Sequence, residues 1–287
     1  MGVKIVTDST ADLPQGLVDE LDIAVVPLKI HFGEEEFLDW IDLDSDSFFD
    51  KLKASSVMPR TSQPSPSDFE SVYKRVGEDN DSIISLHISA QLSGTYQSAT
   101  IAKSMLEDMD IEVVDSKVTS MALGIVVVEA ARAAKEGLTK EEILARVYEN
   151  LSKVKVLFGV DTLEYLEKNG RIGKASAFLG GLLSVKPLLS LVDGGIHPKE
   201  KVRGKAKLIE RLVNVIGEEF GEDVKGKAVI LHGNVLDEAL KLKDKVDDKY
   251  DFQELIIASI GAVIGTHTGP GVLGVAVLPD GRDNCQA

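Results

Sequence analysis

The chain has 287 residues, 44% of them hydrophobic and 28% charged, a balance that fits a soluble globular protein with room for two ordinary α/β units. Its formal charge of −15, from 32 Lys+Arg against 47 Asp+Glu, argues against a general nucleic-acid binder and disfavours docking on an anionic membrane surface, since both need a basic face. The single cysteine, Cys285, excludes an intramolecular disulfide and suits a reducing compartment.

The N-terminal run Met1-Gly2-Val3-Lys4-Ile5-Val6-Thr7-Asp8 enters a strand pattern directly and has the character of neither a signal peptide nor a persuasive myristoylation site. The longest apolar runs, such as Gly124-Ile125-Val126-Val127-Val128, are far too short to span a bilayer. The expectation is a soluble, cytoplasmic protein with no stable membrane insertion.

Short β-branched runs alternate with amphipathic stretches, which predicts an α/β fold. Strands are expected at Lys4–Thr7, Ala24–Ile30, Ser82–His87, Glu112–Asp115 and Val156–Val160. Residues 31–64 break the alternation with the acidic run Glu34-Glu35-Glu36, Trp40, a short helix near Ser45 to Lys53 and the Pro/Ser/Thr-rich stretch Met58–Pro66. This segment reads as an insertion forming one wall of a cleft. Ser65-Pro66-Ser67-Asp68 opens a helix with a capping hydroxyl and a proline at the first helical position. Ser120 to Lys135 is a long Ala/Val-rich helix, apolar over most of its surface and therefore expected to be central. Thr139-Lys140-Glu141-Glu142 is a capping box opening the next helix.

The first domain is therefore placed at residues 1–160 and a second α/β domain at 161–282. The second is predicted to hold strands Pro187–Val192, Ala228–Leu231, Glu254–Ser259 and Val272–Leu278, and helices Gly204 to Phe220 and Asn234 to Val246. From Arg282 onward the chain reads as a loose tail.

Four stretches of small hydroxyl residues and glycine fall at element boundaries: Asp8–Pro14, Arg60–Pro66, Ser89–Tyr96 and Gly265–Gly271. The first follows the first strand, where ligands bind in open α/β sheets. The third joins a strand to a helix and offers backbone N–H groups and hydroxyls to one anionic group. The fourth sets an imidazole, His267, among glycines that let a ligand approach the backbone. Taken singly, each hydroxyl is equally an ordinary helix cap and His267 an ordinary structural histidine.

Gly269-x-Gly271-x-x-Gly274 matches the dinucleotide fingerprint in form only, because it precedes a strand instead of opening a helix. Glu34–Glu36 beside His31 lacks metal-ligand spacing and reads as a solvated acidic face. No nucleophile elbow, P-loop, zincin or kinase signature is present. Ser93 and His267 allow a nucleophile–base pair, with no third acid nameable from sequence. The residues alone thus predict a cleft that holds a small anion by hydroxyls and a histidine.

The N-terminal Val-Thr-Asp-Ser-Thr-Ala-Asp-Leu-Pro, Thr61–Pro66, Ser-Gly-Thr-Tyr-Gln-Ser-Ala at Ser93–Ala99, Thr162–Gly173, Lys186-Pro187-Leu188-Leu189 and Gly-Thr-His-Thr-Gly-Pro-Gly occur in this order. Over roughly residues 3 to 280 the chain resembles the DegV family. The resemblance implies two α/β domains with a long-chain fatty acid bound between them as ligand, no cofactor, no metal and no catalytic residue. It implies a carboxylate site formed by Thr61, Ser62, Ser93, Gly94, Thr95, His267 and Thr268, with the acyl tail in an apolar tunnel of the C-terminal domain. It further implies presentation of the carboxylate to an ATP-dependent fatty acid kinase subunit that makes an acyl phosphate for phospholipid synthesis, with Arg171 and Arg203 near the carboxylate end and facing that partner. Both arginines fit a surface salt bridge as well. The alternatives are a Ser93/His267 hydrolase or acyltransferase acting on a lipid ester, and a module phosphorylated on His267.

Overall fold

The computed structural model of the protein describes residues 2–77, 82–179 and 185–281; the tail expected from Arg282 lies outside the described residues. The N-terminal half opens with β1 (Val3–Asp8), helix α1 (Gln15–Leu21) and β2 (Ala24–Val26). The insertion then contributes β3 (Lys29–Phe32), β4 (Glu35–Leu38), α2 (Ser45–Ala54) and β5 (Arg60–Ser62). Next come α3 (Pro66–Val76), β6 (Ser82–His87), α4 (Thr95–Ser104), β7 (Ile111–Asp115), α5 (Met121–Lys135) and α6 (Lys140–Lys153).

The strand expected over Ala24–Ile30 is two. Pro27 has no N–H to give a ladder, so β2 ends there beside β1, and β3 starts a separate antiparallel sheet. The sheet order is β2-β1-β6-β7, all parallel, with the small sheet β4-β3-β5 formed by the insertion. The capping boxes at Ser65 and Thr139 form as their sequences require.

The remainder comprises β8 (Lys155–Gly159), α7 (Glu164–Lys168), β9 (Val185–Val192), β10 (Gly195–Arg203), α8 (Lys205–Phe220), β11 (Gly226–His232), α9 (Leu236–Lys249), β12 (Glu254–Ser259), α10 (Ala262–Thr268) and β13 (Leu273–Pro279). Its six-stranded sheet runs β10-β9-β8-β13-β11-β12. β8 was expected with the first unit, but it pairs antiparallel with both β9 and β13. Its alternation explains the placement: Val156 and Phe158 join one buried cluster and Leu157 joins another, so both faces of the strand are covered.

Helix α5 is the layer between the two larger sheets. It packs on β1 and β6 from one side and on β11 and β13 from the other. Eleven of its residues are buried, which is why its sequence is apolar around the whole circumference. The cluster built around it draws residues from both sheets, Ile5, Ile84 and Leu86 from one and Val156, Val229 and Ala276 from the other. A cavity is left where the ends of β6 and β8 face α10 across this core.

Candidate functional site: a polar-ended apolar cavity

The cavity outlines about 880 Å³ of space not filled by atoms, open solvent at its mouth included. Its walls are mostly aliphatic: Ile88 and Leu92 follow β6, Val156 and Phe158 come from β8, and Leu191 and Leu231 from β9 and β11. The polar exceptions are Thr61, Gln63, Ser93, Thr119, Ser120, Arg171, His267 and Thr268; among the described residues no carboxylate lines it. Such a lining suits a long apolar body with one anionic or hydrogen-bonding end.

Each polar group is delivered by a definite local structure. Thr61 lies on β5, paired with Ile30, and its Oγ1 is 2.9 Å from His267 Nε2 on α10. Strand alternation turns the next residue to the other face: Ser62 Oγ is 2.9 Å from His31 Nε2, and Ser62 does not line the cavity. Ser93 ends the loop after β6, and its Oγ is 2.8 Å from Thr95 Oγ1. Thr95 is fully buried in the first turn of α4, and neither it nor Gly94 lines the cavity. Gly94 is the close-approach point of this loop, because a Cβ there would lie 2.5 Å from Gln63 Nε2.

Arg171 is aimed by the end of α7. Gly170 adopts φ +67°, the left-handed conformation that glycine enters without penalty, and the Arg171 N–H then bonds to the Leu166 carbonyl at 3.0 Å. The guanidinium donates to the carbonyls of Asn169 (2.8 Å) and Leu92 (3.3 Å), and Asn169 Nδ2 in turn donates to the Thr266 carbonyl. Arg171 and His267 are therefore tied to one another through the backbone of both helices. Thr268 lines the cavity, but its hydroxyl donates to the Ile264 carbonyl at 3.0 Å, one turn back. Arg203 is exposed at the end of β10 and lies away from the cavity walls.

Burial first, and then the charge of Arg171, push the His267 imidazole down to about 3. The ring is thus neutral at physiological pH, with Nε2 engaged by Thr61 and Nδ1 unpartnered among the described residues. A neutral imidazole, two hydroxyls and one guanidinium form a donor-rich end that accepts an anion without a second buried charge of the same sign.

The same geometry bears on the hydrolase alternative. Ser93 Oγ is bonded to Thr95 and His267 Nε2 to Thr61, and among the described residues no carboxylate orients the ring. An imidazole titrating near 3 is also a weak base at neutral pH. Among the described residues no group of three or more His, Cys, Asp or Glu could hold a metal ion, and the acidic hairpin at Glu35 and Glu36 is spent on ion pairs with Lys51 and Lys29.

Of the nine residues singled out in the sequence, the structure brings Thr61, Ser93, Arg171, His267 and Thr268 to one cavity and leaves Ser62, Gly94, Thr95 and Arg203 outside its walls. Sequence reasoning passed over Gln63, Thr119 and Ser120 as lining residues, the last read only as the start of a helix. Gln63 sits inside the motif already singled out, and its place between Gly94 and the cavity was the missing signal. Thr119 carried none, since it precedes α5 with nothing to distinguish it from a capping residue.

Comparison with known proteins places this architecture. The model of the DegV family, described as uncharacterised, matches residues 2–280. Protein DegV of Bacillus subtilis is 36% identical over 276 residues, covering 96% of this chain and 98% of the relative. The structure of a DegV family protein from Thermus thermophilus, described in terms of fatty acid binding, shares 36% identity and a TM-score of 0.92 over 98% of this chain and 100% of the other. DegV of Bacillus subtilis, described as a fatty acid binding protein, superposes with a TM-score of 0.86 at 35% identity, over 96% of this chain and 98% of its own. A DegV lipid binding protein from Thermotoga maritima gives 0.90 at 31% identity, over 99% and 100%. With its fold, its motifs and nearly its whole length matched, the chain belongs to the DegV family.

Proposed function

We propose that this protein binds a long-chain fatty acid in the cavity between its two large sheets and presents the carboxylate to a partner kinase. The observation that carries the reading is the combination of aliphatic walls with a polar cluster built from Thr61, Ser93, Arg171 and His267. Related chains of the same fold, among them those of Thermus thermophilus and Bacillus subtilis, are described as binding fatty acids, which supports it.

The energetics are adequate. Burying some fifteen methylenes at about 0.8 kcal/mol each supplies roughly 12 kcal/mol before ordering costs, enough for a ligand that survives purification. The carboxylate replaces lost hydration with the Arg171 guanidinium and hydroxyl donors, while Thr61 and His267 act as a pair. Thr61 and Ser93 supply the direct contacts in this reading; Gly94 and Thr95 shape the turn that presents Ser93, and Ser62 supports β5 from its other face.

The kinase step belongs to the partner. An ATP-dependent fatty acid kinase subunit would supply the nucleotide and metal and form the acyl phosphate for phospholipid synthesis. Arg171 at the cavity and the exposed Arg203 at the rim of β10 are the side chains assigned to that encounter. No helix among the described residues is long and apolar enough to cross a membrane.

Native mass spectrometry of protein purified without added lipid, followed by extraction, tests the binding. One bound mass matching a fatty acid is expected; protein that is empty and takes up no added fatty acid refutes the reading. Presentation is tested by acyl-phosphate formation with the kinase subunit and ATP, which Arg203→Ala should impair while leaving fatty acid affinity intact.

A further inference from the structure

The first hydroxyl-rich motif, Asp8–Pro14, does not line the cavity, yet it carries two buried carboxylates, and a third reaches the same place from the insertion. Asp8 is consumed within the N-terminal sheet, accepting from Thr10, from Ile88 N and from His87 Nδ1. Asp12 and Asp39 reach across instead. Asp12 sits in the left-handed region (φ +52°), where aspartate and asparagine are tolerated better than other side chains. From there its Oδ1 accepts the Gly261 N–H at 2.8 Å, and its Oδ2 accepts the Ser120 hydroxyl at 2.6 Å. Asp39 Oδ1 accepts the next two N–H groups, Ala262 at 2.9 Å and Val263 at 3.4 Å. Both aspartates are 1% exposed.

Three consecutive backbone N–H groups at the start of α10 are therefore held by carboxylates that the N-terminal half of the chain contributes. α10 is seven residues long and carries Val263, Ile264, His267 and Thr268 into the cavity wall. A helix this short has little stability of its own, so its placement is set by what grips its ends. Burying two aspartates for a purely structural cap is expensive when a serine would satisfy the same N–H groups.

We infer that Asp12 and Asp39 are positioning residues for the ligand's charged end, a two-carboxylate latch that fixes α10 and through it the His267 imidazole against Thr61. The inference rests on the acyl-chain reading of the cavity and adds the device that aligns its polar end. The latch is charge-dependent, because an ionised carboxylate holds N–H donors more strongly than a protonated one. Asp39 is faced by Ser9 and by the carboxylates of Asp8, itself bonded to His87, and Asp12. Burial above all raises Asp39 to about 7 and pushes Asp12 well above the usual carboxylate range, each further raised by a neighbouring carboxylate. His267, near 3, does not titrate in that range.

The test compares oleic acid with oleyl alcohol, which fills the same tunnel without a carboxylate. In wild-type protein the acid is expected to bind tighter than the alcohol. Asp39→Asn keeps the shape and removes the charge; it should reduce the acid-over-alcohol ratio about tenfold, one hydrogen bond's worth, with acid affinity falling further than alcohol affinity. Asp12→Asn should act in the same direction. Equal losses for both ligands, or an unaltered ratio, would overturn the inference by showing a merely structural or an idle pair. Should Asp39→Asn fail to fold, Asp12→Asn alone carries the test, and an unaltered acid-over-alcohol ratio in that folded variant overturns the latch. Wild-type protein that takes up neither ligand would instead refute the acyl-chain reading itself.

Discussion

His87 is sealed between Asp8 and Ser85, with Nδ1 3.0 Å from Asp8 Oδ2 and Nε2 2.7 Å from Ser85 Oγ, and the chain of bonds continues to the Tyr73 hydroxyl at 2.9 Å. The ring also meets Phe69 edge-on at 4.9 Å. His267 has one bonded nitrogen, Nε2 to Thr61, and an Nδ1 with no partner among the described residues, and it stands on a cavity wall beside Arg171. Both follow strand-end or helix segments rich in hydroxyls, so the sequence around them looks alike. The difference is completion: a histidine whose partners are all internal stabilises the fold, and one left incomplete at a cavity is available to a ligand.

Four measurements separate a completed histidine from an incomplete one. The largest effect is expected at His87→Ala, which strands the buried Asp8 carboxylate and the Ser85–Tyr73 hydroxyls; it should cost about 3–5 kcal/mol in urea or thermal unfolding. Unchanged stability would remove the structural role assigned to His87. Next, Ser93→Ala combined with His267→Ala should weaken fatty acid binding by roughly 10- to 100-fold, about 1.4–2.8 kcal/mol, in protein that stays folded. A folded double mutant with wild-type affinity would remove those residues from the site.

The third effect concerns pH. His267 titrates near 3 in the fold and near 6.5 when unfolded, so the unfolded chain takes up the proton first. Its contribution is complete above about pH 6.5 and is lost progressively as pH falls toward 3. Other groups titrate in the same range, so the difference between wild type and His267→Gln isolates it: a gap of about 2 kcal/mol opening below pH 6 is expected. A gap independent of pH would contradict a neutral His267. The smallest effect is expected at Glu36→Gln, which removes the exposed pair with Lys29; stability should change by less than about 0.5 kcal/mol and lipid affinity not at all.

Much of this architecture was legible in the chain. Helix caps at Ser65 and Thr139, the all-round apolar α5 and the strands at Ser82–His87 and Glu254–Ser259 follow from local rules and appear where those rules put them. The split of Ala24–Ile30 was marked by Pro27 and overlooked because both flanks are equally β-branched. Reading Met58–Pro66 as loop hid β5, and with it the alternation that sends Thr61 to the cavity and Ser62 to His31.

The chain alone specifies the alternating α/β pattern, the family resemblance and the set of hydroxyls, imidazole and two arginines from which an anion site can be made. Tertiary structure alone decided that β8 belongs to the six-stranded sheet, that Arg203 stays outside while Arg171 comes in, and that Asp12 and Asp39 grip a helix more than 200 residues further along the chain. The physical reason is range. Caps and periodicities act over one turn or one strand and are written in adjacent residues, whereas a cavity exists only where several such elements fail to fill the space between them.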